Sequence, residues 1–211
     1  MNVSDAGAND DAASKLELPW PTSGGNVPVL IAAASQLARR CDDLLVVLGH
    51  RASRLESLLD ESRPAKSIAT IKADPDAPMY ESFRVGLNHL APSEQSIEAV
   101  VLHPGDHPVI TDATAKAVEA AFRCDPTRAA MPAHDGRGGH PVIIPGTLFA
   151  ALRAYSGEGG LRAYWRAHPD ACRRVPVEDP WGRIDLDTAE AYREARQRWL
   201  GELNADHTPR A

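Results

Sequence analysis

The sequence predicts a layered α/β fold, in which helices cover a sheet. Apolar runs typical of buried strands alternate along the chain with segments whose apolar residues recur at helical spacing. The run Ala99–Leu102 is apolar throughout and stops at a glycine–aspartate turn, as a strand buried on both faces in the centre of a parallel sheet does. There is no internal repeat and no long linker, so we expect a single domain over residues 15–203.

In the first half of the chain, helices and strands are expected to alternate. Pro28 has a backbone angle that suits the first turn of a helix, and Thr111 or Asp112 can cap one. The expected elements are, in order, a helix with Leu30, Ala34, Leu37 and Ala38 inward, the strand Leu44–Leu48, a helix with Leu55, Leu58 and Leu59 inward, a strand through Ile68 and Ile71, a helix carrying Met79, Phe83, Leu87 and Leu90, the strand Ala99–Leu102, and a helix carrying Ala115, Val118 and Phe122. This order implies right-handed crossover connections.

The second half is expected to hold shorter elements and one long final helix. They are, in order, the strands Ala129–Met131 and Val142–Ile144 around a polar loop, helices near residues 147–155 and 160–168, a strand near Val175–Val177, an extended segment Ile184–Thr188, and a helix with Tyr192, Ala195 and Trp199 on one face. Asp187 is the expected N-cap of this last helix, with Glu190 as its capping-box partner.

Composition and charge argue against several classes of protein. A net charge of −6 and a pI near 5.7 argue against an electrostatic nucleic-acid binder. No apolar stretch approaches the ~20 residues that cross a bilayer, and the N-terminus lacks a signal-peptide pattern. The widely spaced Cys41, Cys124 and Cys172 predict reduced thiols, so the cytoplasm is the expected location. The polar, aperiodic residues 1–14 predict a disordered start, and residues 204–211 a polar tail.

Two acidic segments point to a cation site. Asp106 follows the strand Ala99–Leu102, where ligands of α/β sheets bind, and its carboxylate can hold a divalent cation. The alternative is that Asp106 only caps a turn or the next helix. Asp185 and Asp187 flank Leu186 in an extended segment, and one of them can cap the last helix while the other faces the crevice. If Asp185 faces Asp106, the two can share Mg²⁺.

Two glycine-rich loops are further candidates. In the loop Gly138–Pro141, the glycines permit close approach of a ligand to the backbone, although a plain hairpin turn explains them equally well. The segment Gly157–Arg162 can cradle an anion at a helix start, with Arg162 as the counter-charge. Glycine-rich turns before helices are common, so an ordinary turn is the alternative there.

Taken in order, these segments resemble the MobA-like NTP transferases, which include the molybdenum-cofactor cytidylyl- and guanylyltransferases. The resemblance extends from about Lys15 to Arg196. It is carried by Lys15–Trp20 with Pro28–Leu30, Val46–His50, Met79–Leu87, Gly105–Pro108, Gly139–Pro141, Gly157–Arg162 and Asp185–Thr188. Each motif is short, and their ordered combination is the specific feature.

The resemblance implies a three-layer, Rossmann-like fold of the nucleotide-diphospho-sugar transferase type, with a mostly parallel sheet and helices on both faces. It implies transfer of NMP from CTP or GTP to a phosphate-bearing acceptor such as molybdopterin, with release of pyrophosphate. Asp106 and Lys15 are the implied catalytic residues, and Asp106 and Asp185 the implied Mg²⁺ ligands. The implied nucleotide-binding residues are Gly7, Lys15, Met79, Ser82 and Gly105. The implied acceptor-binding residues are Gly139, His140 and Arg162.

At its N-terminal end the chain differs from the family motif, and this difference leaves two other functions possible. Where the family has a buried strand and a phosphate-cradling loop, this chain offers only Ala6-Gly7 and Lys15, with Asp10 and Asp11 between them. Loss of that loop favours a catalytically inactive relative that serves as a nucleotide-binding or protein-interaction module. A third reading is a metal-dependent phosphoesterase built on His103, His107, His134 and His140.

Overall fold

The computed structural model describes residues 14–62, 68–184 and 186–206. Its strands are β1 (Pro19–Thr22), β2 (Gly25–Pro28), β3 (Leu44–Leu48), β4 (Ile68–Lys72), β5 (Ala99–Leu102), β6 (Ala129–His134), β7 (Arg137–Gly138), β8 (Val142–Pro145) and β9 (Cys172–Pro176). Its α-helices are α1 (Val29–Ala38), α2 (Ala52–Glu61), α3 (Met79–Leu90), α4 (Asp112–Cys124), α5 (Phe149–Ala154), α6 (Gly160–Ala167) and α7 (Ala189–Asp206). Short 3-10 helices span Lys15–Glu17, Ala91–Ser96, Gly146–Leu148, Pro169–Ala171 and Trp181–Arg183.

The strands confirm the predicted α/β class, but their pairing is more mixed than expected. β3 and β4 are parallel, and β6 and β9 are parallel. β8 lies between β5 and β6 and is antiparallel to both, so β5, β6 and β9 run in the same direction. The expectation that Ala99–Leu102 is buried on both faces in the centre of a parallel sheet was therefore wrong. All four residues are half-buried, and their described partner β8 is antiparallel to them.

Helices cover both faces of the larger sheet. On one face, α3, α5 and α6 bury Leu87, Phe149 and Leu152 against Ile144 of β8. On the other face, α4 packs Val118 and Phe122 against Ala130 and Ile143. Adjacent residues of β8 thus enter opposite layers, as the two-residue period of a strand requires. A further cluster joins α1 and α2 to β3 and to Val101 of β5.

Most predicted elements are present, with differences at several ends. The hairpin β1–β2 was not predicted, and α7 continues into the predicted polar tail as far as Asp206. Met79 is the first residue of α3 and is 82% exposed, so it does not pack inward with the other apolar residues of this helix. The expectations for residues 1–13 and 207–211 lie outside the described residues. Among the helices described, none is long and apolar enough to cross a membrane.

Candidate active site

The candidate site is built on the turn that follows β5. The backbone N–H of His107 donates to the carbonyl oxygen of Pro104 at 3.2 Å, which closes the turn around Gly105 and Asp106. A Cβ at Gly105 would lie 3.2 Å from Cδ1 of Leu30 and 3.7 Å from Cδ2 of Leu16. The absence of a side chain at Gly105 therefore lets α1 and the 3-10 helix Lys15–Glu17 pack closely over the turn.

The 3-10 helix brings Lys15 to Asp106. Ser14 and Glu17 form a capping box, and Glu17 also pairs with Arg51 at 2.9 Å and Arg54 at 3.0 Å. With its backbone held in this way, Lys15 extends its ammonium to 2.6 Å from Oδ2 of Asp106.

Asp187 approaches the same ammonium from the start of α7. Lys15 Nζ donates to Oδ1 of Asp187, so one lysine joins two carboxylates that are far apart in sequence. Sequence reasoning missed this partner because it assigned Asp187 to the cap of α7. The cap is Thr188 instead: its hydroxyl accepts from the backbone N–H of Ala191 at 3.0 Å, and the predicted Asp187–Glu190 capping box was wrong.

The ion pairs of Lys15 with Asp106 and Asp187 favour the charged forms of Lys15 and Asp106. Burial opposes the charged form of Asp106, but the hydrogen bond and charge of Lys15 outweigh it and hold the pKa of Asp106 below its ordinary value. Burial likewise works to lower the pKa of Lys15, and Asp106 and Asp187 together raise it above its ordinary value. The cluster therefore contains an ammonium between two carboxylates at neutral pH.

Three histidines pack beside Asp106. The ring centroids of His103, His107 and His140 are 5.6–6.4 Å apart, and every pair is edge to face. Burial lowers the pKa of His103 to about 3 and that of His140 to about 4, so both rings are neutral at physiological pH. His134 contacts the carbonyl oxygen of Val177 instead. Within the described stretches, no group of three or more His, Cys, Asp or Glu side chains is arranged to hold a metal ion.

The loop that carries Gly139 and His140 docks on the 3-10 helix Trp181–Arg183. The backbone N–H of His140 donates to the carbonyl oxygen of Gly182 at 2.8 Å. A Cβ at Gly139 would lie 2.6 Å from that oxygen, and a Cβ at Gly182 would lie 2.3 Å from the carbonyl oxygen of His140. The close backbone approach predicted for this loop is therefore made by the protein itself.

The other predicted residues form a second group on α3 and α6. Met79 and Ser82 lie in the first two turns of α3, and Arg162 is exposed on α6. These helices meet where a Cβ at Gly160 would lie 3.2 Å from Cβ of Tyr80. Gly7 and Asp185, predicted for nucleotide and metal binding, lie outside the described residues.

The fold and the acidic turn define a nucleotidyltransferase-like α/β domain. The chain belongs to the MobA-like NTP transferase domain family, whose model matches residues 11–172. A search of curated proteins found no match.

Solved structures agree with this assignment. A nucleotidyl transferase from Methanothermobacter is 22% identical with a TM-score of 0.71, over 90% of this chain and 87% of that chain. Rv0371c of Mycobacterium tuberculosis in complex with manganese is 22% identical with a TM-score of 0.63, over 87% and 91%. Molybdopterin-guanine dinucleotide biosynthesis protein A of Archaeoglobus fulgidus is 13% identical with a TM-score of 0.58, over 90% and 92%. At these identities the likeness establishes the fold.

Proposed function

We propose that this protein is a divalent-cation-dependent nucleotidyltransferase that transfers NMP from CTP or GTP to a phosphate-bearing acceptor such as molybdopterin. The observation that carries the proposal is the cluster of Lys15, Asp106 and Asp187 at the end of β5, in a chain whose family is MobA-like NTP transferases. Carboxylates and a lysine are the groups that bind a cation and the phosphates that accompany it.

The proposed reaction is an in-line substitution at the α-phosphorus. An acceptor phosphate oxygen forms the new P–O bond, and the bond from the α-phosphorus to the oxygen of the β-phosphate breaks, so that pyrophosphate leaves with the electron pair. The acceptor oxygen is already anionic at neutral pH and needs no general base. The work of the protein is therefore positioning and neutralisation of charge.

The donor set at Asp106 fits a hard divalent cation. One of its carboxylate oxygens, Oδ2, already lies 2.6 Å from a positive group, the ammonium of Lys15. Oxygen ligands suit Mg²⁺, which when bound offsets the charge of the transferring phosphates. Asp106 is the proposed ligand, with Asp185 as the partner expected from the sequence. The manganese complex of Rv0371c supports a divalent cation in this fold.

The remaining roles follow the family motifs. Lys15 and Gly105 are proposed to contact phosphates, together with Gly7. Met79 and Ser82 are proposed to contact the base. The residues proposed to contact the acceptor are Gly139, His140 and Arg162.

A non-catalytic relative is the second candidate, and one observation favours it. Lys15 is engaged by two carboxylates, and Arg51 and Arg54 are engaged by Glu17. These three cations are thus already paired within the protein, so less positive charge is left to stabilise a leaving pyrophosphate, which supports a relative without turnover.

Pyrophosphate release separates the two candidates. Wild-type protein is incubated with CTP, GTP or ATP, with Mg²⁺ or Mn²⁺, and with molybdopterin as acceptor. We expect release with CTP or GTP, and a loss of at least about 100-fold in Asp106→Asn. Asp170→Asn, an exposed acid on a separate 3-10 helix, is the matched control.

Two results contradict the transferase. Equal rates for Asp106→Asn and wild type exclude the proposed role of Asp106. Cation-linked nucleotide binding in calorimetry without pyrophosphate release identifies the non-catalytic relative. In the same calorimetry, Asp106→Ala is expected to abolish that cation-linked binding.

A further inference from the structure

We propose that Asp179 is a positioning residue, which fixes the turn that carries Asp106 and the loop that carries His140 relative to each other. The inference rests on the proposed function, which assigns Asp106 to the nucleotide with its cation and His140 to the acceptor. It adds a residue that lies outside all the motifs identified in the sequence.

The carboxylate of Asp179 joins the start of α4 to the 3-10 helix Trp181–Arg183. Its Oδ2 accepts from the hydroxyls of Thr111 and Thr114, which lie 68 and 65 positions away in the sequence. Its Oδ1 accepts from the backbone N–H of Trp181 at 3.0 Å. One side chain therefore holds two segments that are distant in sequence.

On one side, these bonds fix the segment that follows Asp106. The Oγ1 of Thr111 accepts from the backbone N–H of Thr114 at 3.2 Å, which caps α4, while its hydroxyl proton goes to Asp179. Thr114 is only 2% exposed, so water cannot readily replace Asp179 as the partner of its hydroxyl. Because only residues 107–110 separate Asp106 from Thr111, a displacement of the cap would move the turn as well.

On the other side, Trp181 and its neighbour hold the loop of His140. The carbonyl oxygen of Gly182 accepts from the N–H of His140 at 2.8 Å. Trp181 is 2% exposed and packs in the same cluster as Val109, which lies between the Asp106 turn and α4. The 3-10 helix therefore contacts both sides of the site, and Asp179 fixes its first residue.

The relative placement of the two sides matters for an in-line substitution. The acceptor oxygen must approach the α-phosphorus opposite the leaving pyrophosphate, and a misplacement of about 1 Å can cost roughly 100-fold in rate. Asp179 acts through Thr111, Thr114 and Trp181 and not through contact with a substrate. Its loss should therefore lower kcat and leave the KM for the nucleotide near the wild-type value.

The first measurement is amide hydrogen exchange, followed by NMR in the full-length protein without nucleotide. In Asp179→Ala we expect the amides of Thr114 and His140 to exchange about tenfold faster relative to the amides of the β5–β8 ladder, because their hydrogen bonds open locally. A merely structural role would lower the protection of all slowly exchanging amides together. The ratio between the two sets of amides is thus the informative quantity.

Conservative and control variants sharpen the test. Asp179→Asn keeps an acceptor for the N–H of Trp181 and can donate to the two threonine hydroxyls, so its exchange ratio should stay within about threefold of wild type. Glu178→Ala replaces the exposed acid next to Asp179 and is the matched control. In the pyrophosphate assay, Asp179→Ala should lower kcat by at least about tenfold, and Asp179→Asn should restore most of the rate.

Each outcome bears directly on the inference. An unchanged His140 amide, or equal changes at all amides, overturns it, and so does an unchanged kcat of Asp179→Ala beside an active wild type. If Asp179→Ala does not fold, Thr114→Val removes one of the three bonds and is expected to give the same local pattern with a smaller amplitude. Because hydrogen exchange needs no nucleotide, the expected local pattern in a protein without pyrophosphate release sustains the positioning by Asp179 while the transferase fails.

Discussion

Replacement of Gly182 by alanine tests whether the close contact between the 3-10 helix Trp181–Arg183 and the His140 loop stabilises the fold. The new Cβ would lie 2.3 Å from the carbonyl oxygen and 3.2 Å from the nitrogen of His140, and both are backbone atoms that cannot rotate away. Separating the segments breaks the 2.8 Å hydrogen bond from the His140 N–H, which costs about 1 kcal/mol. Overpacking beside the buried Trp181 adds roughly 1–3 kcal/mol. We therefore expect a loss of about 2–4 kcal/mol in the free energy of unfolding.

The measurement is urea denaturation of the Gly182→Ala variant, with Gly201→Ala as the matched control. Gly201 lies within α7, and a Cβ there meets nothing within 4 Å. Because alanine favours a helix over glycine, Gly201→Ala should stabilise the protein by up to about 1 kcal/mol. If the free energy of unfolding of Gly182→Ala lies within about 0.5 kcal/mol of the wild-type value, the argument is refuted, because changes of that size are typical of substitutions on the protein surface.

Two further measurements test the cap of α7 and the histidine cluster. Thr188→Ala should lower the free energy of unfolding, measured in urea, by about 1 kcal/mol. Thr188→Ser keeps the hydroxyl and should stay near the wild-type value. Equal stability of the wild type and both variants would contradict the role of Thr188 as the cap. Burial lowers the pKa of His103 to about 3, whereas an unfolded histidine has a pKa of about 6.5. The contribution of the neutral His103 ring to the free energy of unfolding is therefore full above about pH 6.5 and is lost as the pH falls toward 3. An NMR titration of the His103 ring with a midpoint near 6.5 would contradict this.

The elements could be predicted from the sequence where periodicity was strong, but the pairing of strands could not. Leu44–Leu48 and α1 match the expectation because their apolar patterns are continuous. The hairpin β1–β2 was missed because Pro19, Pro21 and Pro28 argue against strands. For β5, an apolar run reports burial but not the direction of its neighbour, and β8 is reversed beside it.

The site was predictable one segment at a time and not as a set of contacts. Asp106 and Lys15 were both identified, yet the ion pair between them joins residues 91 positions apart, and no local pattern encodes it. The sequence analysis assigned the cap of α7 to Asp187, whereas Thr188 caps the helix and Asp187 engages Lys15, a residue 172 positions away. The close backbone approach at Gly139 is to Gly182, and no local pattern encodes that contact.

The ion pairs at the site also bear on whether a nucleotide would bind alone or as a complex with a divalent cation. Lys15 is shared by Asp106 and Asp187, and Arg51 and Arg54 share Glu17, so a bare triphosphate meets cations that are already neutralised. The net charge of −6 adds a long-range penalty for an anion. Under the proposed function, a nucleotide that brings its own divalent cation would avoid both costs, because the cation would neutralise Asp106 and the phosphates would pair with Lys15. Binding as a preformed cation–nucleotide complex is thus the route that the electrostatics of this site favour.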